Sequence, residues 1–202
     1  MSKPLLFTPL QIRSVTLNYR SHIVILNGVG SVGKTTTARA LQEICTAPLL
    51  HVSMDAFLDM LPKAMFGHPD GLVFETIEQQ GLPSVVIRTD PVLERAMQGL
   101  RHAIAALAAQ GNHLVVDEVM TRDGQAEEYR HLLSDFDVRL VGMFAPLEVL
   151  EARERQRADR AIGLARWQYD RVHRDVVYDL NIDTTKSSPM QSARIIRDAF
   201  GL

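Results

Sequence analysis

Short apolar runs and helical stripes alternate along most of this chain. His22-Ile23-Val24-Ile25-Leu26-Asn27 is almost continuously apolar, the pattern of a strand covered on both faces, and Ala38, Leu41 and Cys45 follow at helical spacing. Leu49 to Ser53 predicts a second strand. Between Pro91 and Leu107, the residues Leu93, Ala96, Met97, Leu100, Ala103, Ile104 and Leu107 share one helical face, with Asp90 as the cap and Pro91 in the first turn. His113 to Asp117 and Val138 to Phe144 predict a third and a fourth strand, and Leu180 to Ile182 a fifth. Ser188 then caps a last helix that Pro189 leads and that runs to about Phe200. Strands separated by helices imply right-handed crossovers and a parallel sheet.

Two segments fall outside the alternation. The stretch 63–89 carries Leu72 to Thr76 and Ser84 to Arg88 around Gly81 and Pro83, which predicts a β-hairpin or other excursion inserted after the second strand. Its readings are a substrate-facing insertion or a decorative loop. Residues 1–21 form an N-terminal extension ahead of the first strand. The whole chain otherwise reads as one domain.

Gly28-Val29-Gly30-Ser31-Val32-Gly33-Lys34-Thr35 matches G-x-x-x-x-G-K-[ST], and it lies where this phosphate-binding loop belongs, between a buried strand and a helix. In such a loop the backbone folds around an anion with its N–H groups inward, and the helix N-terminus adds partial positive charge. Lys34 then reaches the β- and γ-phosphates, and Thr35 offers its hydroxyl to Mg²⁺. The motif predicts a nucleoside triphosphate ligand.

Composition narrows the setting. At 202 residues and 46% hydrophobic, the chain fills one α/β core and not two. Lys plus Arg number 22 against 24 for Asp plus Glu, so no overall basic field draws the protein to nucleic acid or an anionic membrane. Cys45 stands alone and reads as a packing residue in a reducing compartment. No run approaches a membrane span of about 18 apolar residues, and no signal-peptide core opens the chain, so a cytoplasmic protein is expected.

A parallel sheet holds its ligands outside the carboxyl ends of its strands, which makes the polar residues there the candidates. Asp55, two residues past the second strand, is either a general base for an acceptor hydroxyl or the N-cap of a helix starting at Ala56. Asp117-Glu118 has the form of a Walker B strand end: Asp117 can hold Mg²⁺, and Glu118 can position water or pair with an arginine. Arg153, Arg157 and Arg160 are spaced i, i+4, i+7, so on a continuous helix they share a face. They read either as a lid over 153–163, hinged at Gly163, or as a solvated helix with pairs such as Glu151 to Arg155.

The ordered set of motifs resembles the chloramphenicol phosphotransferases, P-loop kinases related in fold to nucleoside monophosphate and shikimate kinases. The likeness runs from about Ile23 to Ile195. It rests on Ile25 to Gly28 entering the loop, Met54 to Pro62, Asp117-Glu118-Val119, Arg157 to Ala165, Gln168 to His173, Tyr178-Asp179 and Asp183-Thr184-Thr185. The resemblance implies a P-loop NTPase fold, a five-stranded parallel sheet in the order 2-3-1-4-5 flanked by helices. It implies ATP-dependent phosphorylation of a hydroxyl, as in chloramphenicol inactivation, with ATP and Mg²⁺ as cofactors and a small hydroxylated acceptor as partner. Asp55 matches the family's base, Arg157 and Arg160 its lid arginines, and Lys34 and Thr35 its P-loop pair. Thr36 extends the loop, and Asp183, Thr184 and Thr185 fall where related folds hold adenine. The chain departs from the family pattern at Glu118, where the family has Asp, at Thr36-Thr37, and in the 63–89 insertion. Two other readings stay open: a kinase for another metabolite or nucleotide, and a P-loop ATPase or nucleotide switch.

Overall fold

The computed structural model describes residues 20–79, 81–89, 91–157 and 161–202. In chain order they form β1 (His22–Asn27), α1 (Lys34–Ile44), β2 (Leu49–Ser53), α2 (Met54–Leu58), β3 (Leu72–Gln79), β4 (Leu82–Thr89), α3 (Pro91–Ala109), β5 (His113–Glu118), α4 (Gln125–Leu132), β6 (Asp137–Phe144), α5 (Leu147–Arg155), α6 (Leu164–Tyr169), β7 (Leu180–Asp183) and α7 (Pro189–Phe200). Most of the N-terminal extension, the Asp90 cap and Arg160 lie outside the described residues.

The main sheet runs β2-β5-β1-β6-β7, and every neighbouring pair is parallel. Counting only its own five strands, this is the expected order 2-3-1-4-5. Successive side chains of a strand go to opposite faces, and the buried strands use both. Val24, Leu26, Val115, Val141 and Met143 pack with Ala38 and Leu41 of α1 and Ala193 and Ile196 of α7. Ile23, Ile25, Leu114, Val116 and Leu140 pack with Leu100 and Ile104 of α3 and Tyr129 of α4. A reciprocal capping box closes the start of α7: the Ser188 hydroxyl accepts from the Gln191 N–H, and the Gln191 side chain accepts from the Ser188 N–H. Among the described residues no helix is long and apolar enough to cross a membrane.

The predicted hairpin is present. Strands β3 and β4 pair antiparallel from Leu72 with Thr89 to Gln79 with Leu82, apart from the main sheet. Ser84 and Val85 are buried, whereas Phe74, Ile77 and Leu82 are each more than a third exposed. The hairpin docks where the Val85 N–H donates to the Gly163 carbonyl at 3.3 Å. Position 163 must be glycine for this approach: its φ is +95°, and a Cβ there would stand 2.6 Å from the Pro83 carbonyl oxygen.

Candidate active site

The loop after β1 wraps back against its own strand. A Cβ on Gly28 would stand 2.6 Å from the Met143 carbonyl oxygen, so only glycine lets the chain turn this close to β6. The buried Lys34 ammonium donates to the Gly28 carbonyl at 2.8 Å and to the Val29 carbonyl at 3.3 Å. It also lies 3.7 Å from Asp117 Oδ1. The Thr35 hydroxyl donates to Asp117 Oδ2 at 2.5 Å, and the Thr36 hydroxyl to the Gly33 carbonyl at 2.9 Å. Two positions called from separate motifs, Thr35 and Asp117, are thus in direct contact.

Asp117 and Glu118 part company at the strand end because adjacent strand residues face opposite ways. Asp117 turns to the P-loop side. Glu118 turns into the other core, where its Oε2 accepts from the Tyr129 hydroxyl at 2.5 Å and its Oε1 from the Val119 N–H at 2.9 Å. Burial raises the Glu118 pKa, against the opposing pull of those two hydrogen bonds. The alternative reading paired Glu118 with an arginine; its side-chain hydrogen-bond partner is instead a tyrosine from α4.

A cavity of about 490 Å³ opens over the carboxyl ends of these strands. Its wall includes residues 30–37 of the loop and first turn, Asp117, Met54 and Asp55, Arg153, Gln156 and Arg157, Gln168 and Thr184. Asp55 is in the first turn of α2 and Ser53 holds the N-cap position, so the reading of Asp55 as an N-cap is corrected. Gly28 and Val29 are buried behind the loop.

Arg153 and Arg157 do not share a helix. Helix α5 ends at Arg155, and Arg157 follows in a tight turn whose N–H donates to the Glu154 carbonyl. The cause is the buried carboxylate of Glu154, which accepts from the Gly163 N–H at 2.8 Å and the Ala165 N–H at 2.7 Å. Nine more helical residues would carry Gly163 roughly 13.5 Å along the axis, which is incompatible with these hydrogen bonds, and α5 stops at Arg155. Arg153 stays on α5 and clamps Thr184, donating to its hydroxyl and its carbonyl at 3.0 Å each. Glu151 pairs with Arg166 of α6, not with Arg155.

Of the triplet Asp183-Thr184-Thr185 at the end of β7, Thr184 reaches the cavity wall. The exposed Asp183 carboxylate accepts from the Thr185 hydroxyl at 2.6 Å and the Thr185 N–H at 3.0 Å, and Lys186 lies 3.0 Å away. The Thr185 hydroxyl, then its N–H, then Lys186 hold the Asp183 pKa down to about 2.

Several groups here escape local sequence patterns. Asn27, fully buried, accepts from the Met120 N–H and donates to the Val172 carbonyl and the Tyr178 hydroxyl, which fixes the end of β1 to three later segments. His173 stacks on Phe144 with ring centroids 4.0 Å apart and bonds the Tyr178 hydroxyl at 2.8 Å. Desolvation, then the Lys34 charge, lowers the His173 pKa to about 4. Burial pushes Tyr178 up to about 12. His51 Nε2 is buried without a hydrogen-bond partner, 3.9 Å from Asp117 Oδ2. Gln168 Oε1 accepts from the Gly30 N–H at 2.7 Å. The available signal for Asn27 was a polar residue ending an apolar run, and for Gln168 a polar residue on the same helical face as Leu164.

Residues 21–201 match the family described as chloramphenicol phosphotransferase-like protein. A Mycobacterium tuberculosis protein with the provisional name O-phosphotransferase is 28% identical over 184 residues, covering 88% of this chain and 81% of that protein. Among solved structures, the M. tuberculosis APS kinase CysC in complex with AMPPNP and APS superposes with a TM-score of 0.65 at 15% identity, covering 91% of this chain and 99% of that one. A tunicamycin resistance protein of Deinococcus radiodurans gives 0.61 at 21%, covering 91% and 97%. A sugar kinase from Janibacter gives 0.62 at 20%, covering 91% and 95%. At these identities the structural likeness speaks to the fold.

Proposed function

We propose, from the premise that the chain belongs to the chloramphenicol phosphotransferase-like family of kinases, that it transfers the γ-phosphate of ATP to a hydroxyl of a small acceptor without a phosphate group. One observation carries this reading: the P-loop, the Thr35–Asp117 pair and Asp55 line a single cavity. The nucleotide phosphates lie on the loop, Lys34 turns toward the β- and γ-oxygens, and Thr184 stands toward the base.

The hydroxyl and carboxylate oxygens of Thr35 and Asp117, already in contact, are a donor set suited to a hard cation and would hold Mg²⁺. An ion held there would neutralise charge on the β- and γ-phosphates. Asp55 takes the proton of the acceptor hydroxyl as its oxygen bonds to the γ-phosphorus; the bond to the β–γ bridging oxygen breaks and ADP leaves. Arg157, with Arg160 beyond the described residues, meets the charge on the transferring group. The segment 153–163 serves as the lid, and the 63–89 insertion faces the acceptor.

The charge of that acceptor side argues against a nucleotide. Between positions 54 and 89 stand five acids, Asp55, Asp59, Asp70, Glu75 and Glu78, against two bases, Lys63 and Arg88. Arg88 is paired with Glu75 at 2.7 Å. A phosphorylated acceptor asks for arginine forks, and an uncharged alcohol with an apolar body suits these residues better. The ATPase reading has lost its water-positioning residue, since Glu118 is buried on Tyr129.

The test is incubation with ATP and Mg²⁺ and a panel of hydroxylated compounds, chloramphenicol, neutral sugars and nucleoside monophosphates among them, read by mass spectrometry. The expected result is a mass gain of one phosphate on an uncharged member. Phosphorylation of the monophosphates alone would overturn the acceptor class, and ATP hydrolysis with no acceptor modified would overturn the kinase reading.

A further inference from the structure

The mechanism above leaves Gln168 unused, although it is buried to within 4% and still borders the cavity. Its amide has two ends. The end facing the P-loop meets the Gly30 N–H at 2.7 Å, a donor, so the side-chain oxygen must lie there. The other end is therefore the NH₂ group. Among the described residues no acceptor takes its two hydrogens, and it does not rank among the buried polar atoms left without a partner.

Its placement is rigid on both sides. Helix α6 carries Gln168, and the Glu154 carboxylate holds the start of that helix through the N–H groups of Gly163 and Ala165. The α6 backbone continues past Gln168, whose carbonyl accepts from the Arg171 and Val172 N–H groups. One side chain therefore joins the helix after the proposed lid to the middle of the phosphate loop.

From this geometry we infer that Gln168 is a ligand for the terminal phosphate: its oxygen sets the P-loop at Gly30, and its NH₂ donates to a γ-phosphate oxygen. The inference rests on the reading that ATP occupies the loop. Residue type supports it. A carboxylate at 168 would accept from Gly30 equally well, but would bring negative charge against the incoming phosphate and offer no donor. The amide, unlike the carboxylate, provides an acceptor on one side and a neutral donor on the other. A hydrogen bond to a charged group contributes enough to change affinity by about tenfold or more.

The inference predicts discrimination between ATP and ADP, because only ATP carries the γ-phosphate. Calorimetric titration of wild type, Q168E and Q168M with ADP and with AMPPNP, both with Mg²⁺, tests it, alongside thermal melting of each variant. Wild type is expected to bind AMPPNP more tightly than ADP. In Q168E, AMPPNP affinity should fall by about a hundredfold and ADP affinity by about threefold or less, with the melting temperature close to wild type. Q168M keeps the volume and removes both polar ends; it should lose about tenfold for AMPPNP and little for ADP, and it decides the matter if Q168E does not fold. Equal losses for the two nucleotides in either folded variant would make Gln168 a loop brace only and overturn the inference. Wild type that binds neither nucleotide would instead overturn the reading of the loop itself.

Discussion

The phosphate loop and the hairpin region are built differently. At the phosphate side, polar groups hold one another across distant segments: Lys34 on the loop carbonyls, Thr35 on Asp117, Arg153 on Thr184, Gln168 on Gly30. The elements behind them are strands β1, β5 and β6, whose central residues are buried. In the region proposed to face the acceptor, whose Met54 and Asp55 line the cavity, residues 54–89 expose Met60, Phe66, Phe74, Ile77 and Leu82, and the hairpin rests on its own ladder and its dock against Gly163 and α6. Phosphoryl transfer needs donors preorganised to within a fraction of an ångström, which the ends of buried strands supply. If the hairpin faces the acceptor as proposed, its residues can change without disturbing those strand ends. The comparison therefore predicts that variants on the two sides have separable kinetic signatures.

The largest effect belongs to Lys34→Ala. Removing its charge should lower turnover by a few hundredfold, the scale for one electrostatic group at a reacting centre, and by the same factor for every accepted substrate. Initial rates with two acceptors check this. A loss that depended on the acceptor would break the separation of the two sides. Lys34 is buried on two carbonyls, so a modest fall in melting temperature accompanies the loss.

Next is Asp55→Asn, which retains shape and cannot take the proton. Transfer should fall about a hundredfold with ATP affinity unchanged. Glu118→Gln, on the far face of the same strand end, should leave transfer within about threefold, because the carboxylate it replaces serves Tyr129 and Val119. ADP release measured with and without acceptor compares them. Acceptor-independent hydrolysis that survives Asp55→Asn and stops in Glu118→Gln would favour a hydrolytic module. Arg157→Ala should reduce the transfer rate by roughly tenfold and ATP affinity by less, since its charge is needed most in the transition state.

Gly163→Ala sharpens the comparison at its joint. The left-handed backbone and the 2.6 Å approach to Pro83 make alanine costly there, by about 1–3 kcal/mol. The hairpin should loosen, raising the acceptor KM several-fold with the KM for ATP little changed. Equal rises in both constants would show that hairpin and phosphate loop move as one body.

The smallest expected effect is on stability against pH. Desolvation lowers the pKa of His51, His113 and His173, the last to about 4. Below the unfolded value of about 6.5 the unfolded chain binds protons that the folded one refuses. The stability these histidines contribute is thus complete above pH 6.5 and is lost as pH falls toward 4. Glu118, raised by burial, works the other way: its share is present below its unfolded value and lost as pH rises through its folded one. Thermal melts of His173→Asn between pH 7.5 and 4.5 should show a shallower acid decline than wild type, and an unchanged slope would remove His173 from the account.

Much of this protein was legible in its sequence because the relevant forces are local or periodic. Alternating apolar runs marked the five strands, the hairpin and α3, and a glycine-rich stretch between strand and helix marked the phosphate loop. Side-chain destinations were another matter. Asp117 and Glu118 are adjacent, yet one meets Thr35 and the other Tyr129, and only the packing of α1 and α4 on opposite faces decides which. The spacing of Arg153, Arg157 and Arg160 described a helix face, but a buried Glu154 bonded to residues nine and eleven positions later ended the helix before Arg157. Gln168 lies 138 residues from the Gly30 N–H that orients its amide. Backbone propensity acts over a few neighbouring residues and can be read along the chain. The partner of a buried polar group is whichever donor or acceptor the tertiary fold brings within about 3 Å, and that was settled by the packing of distant elements.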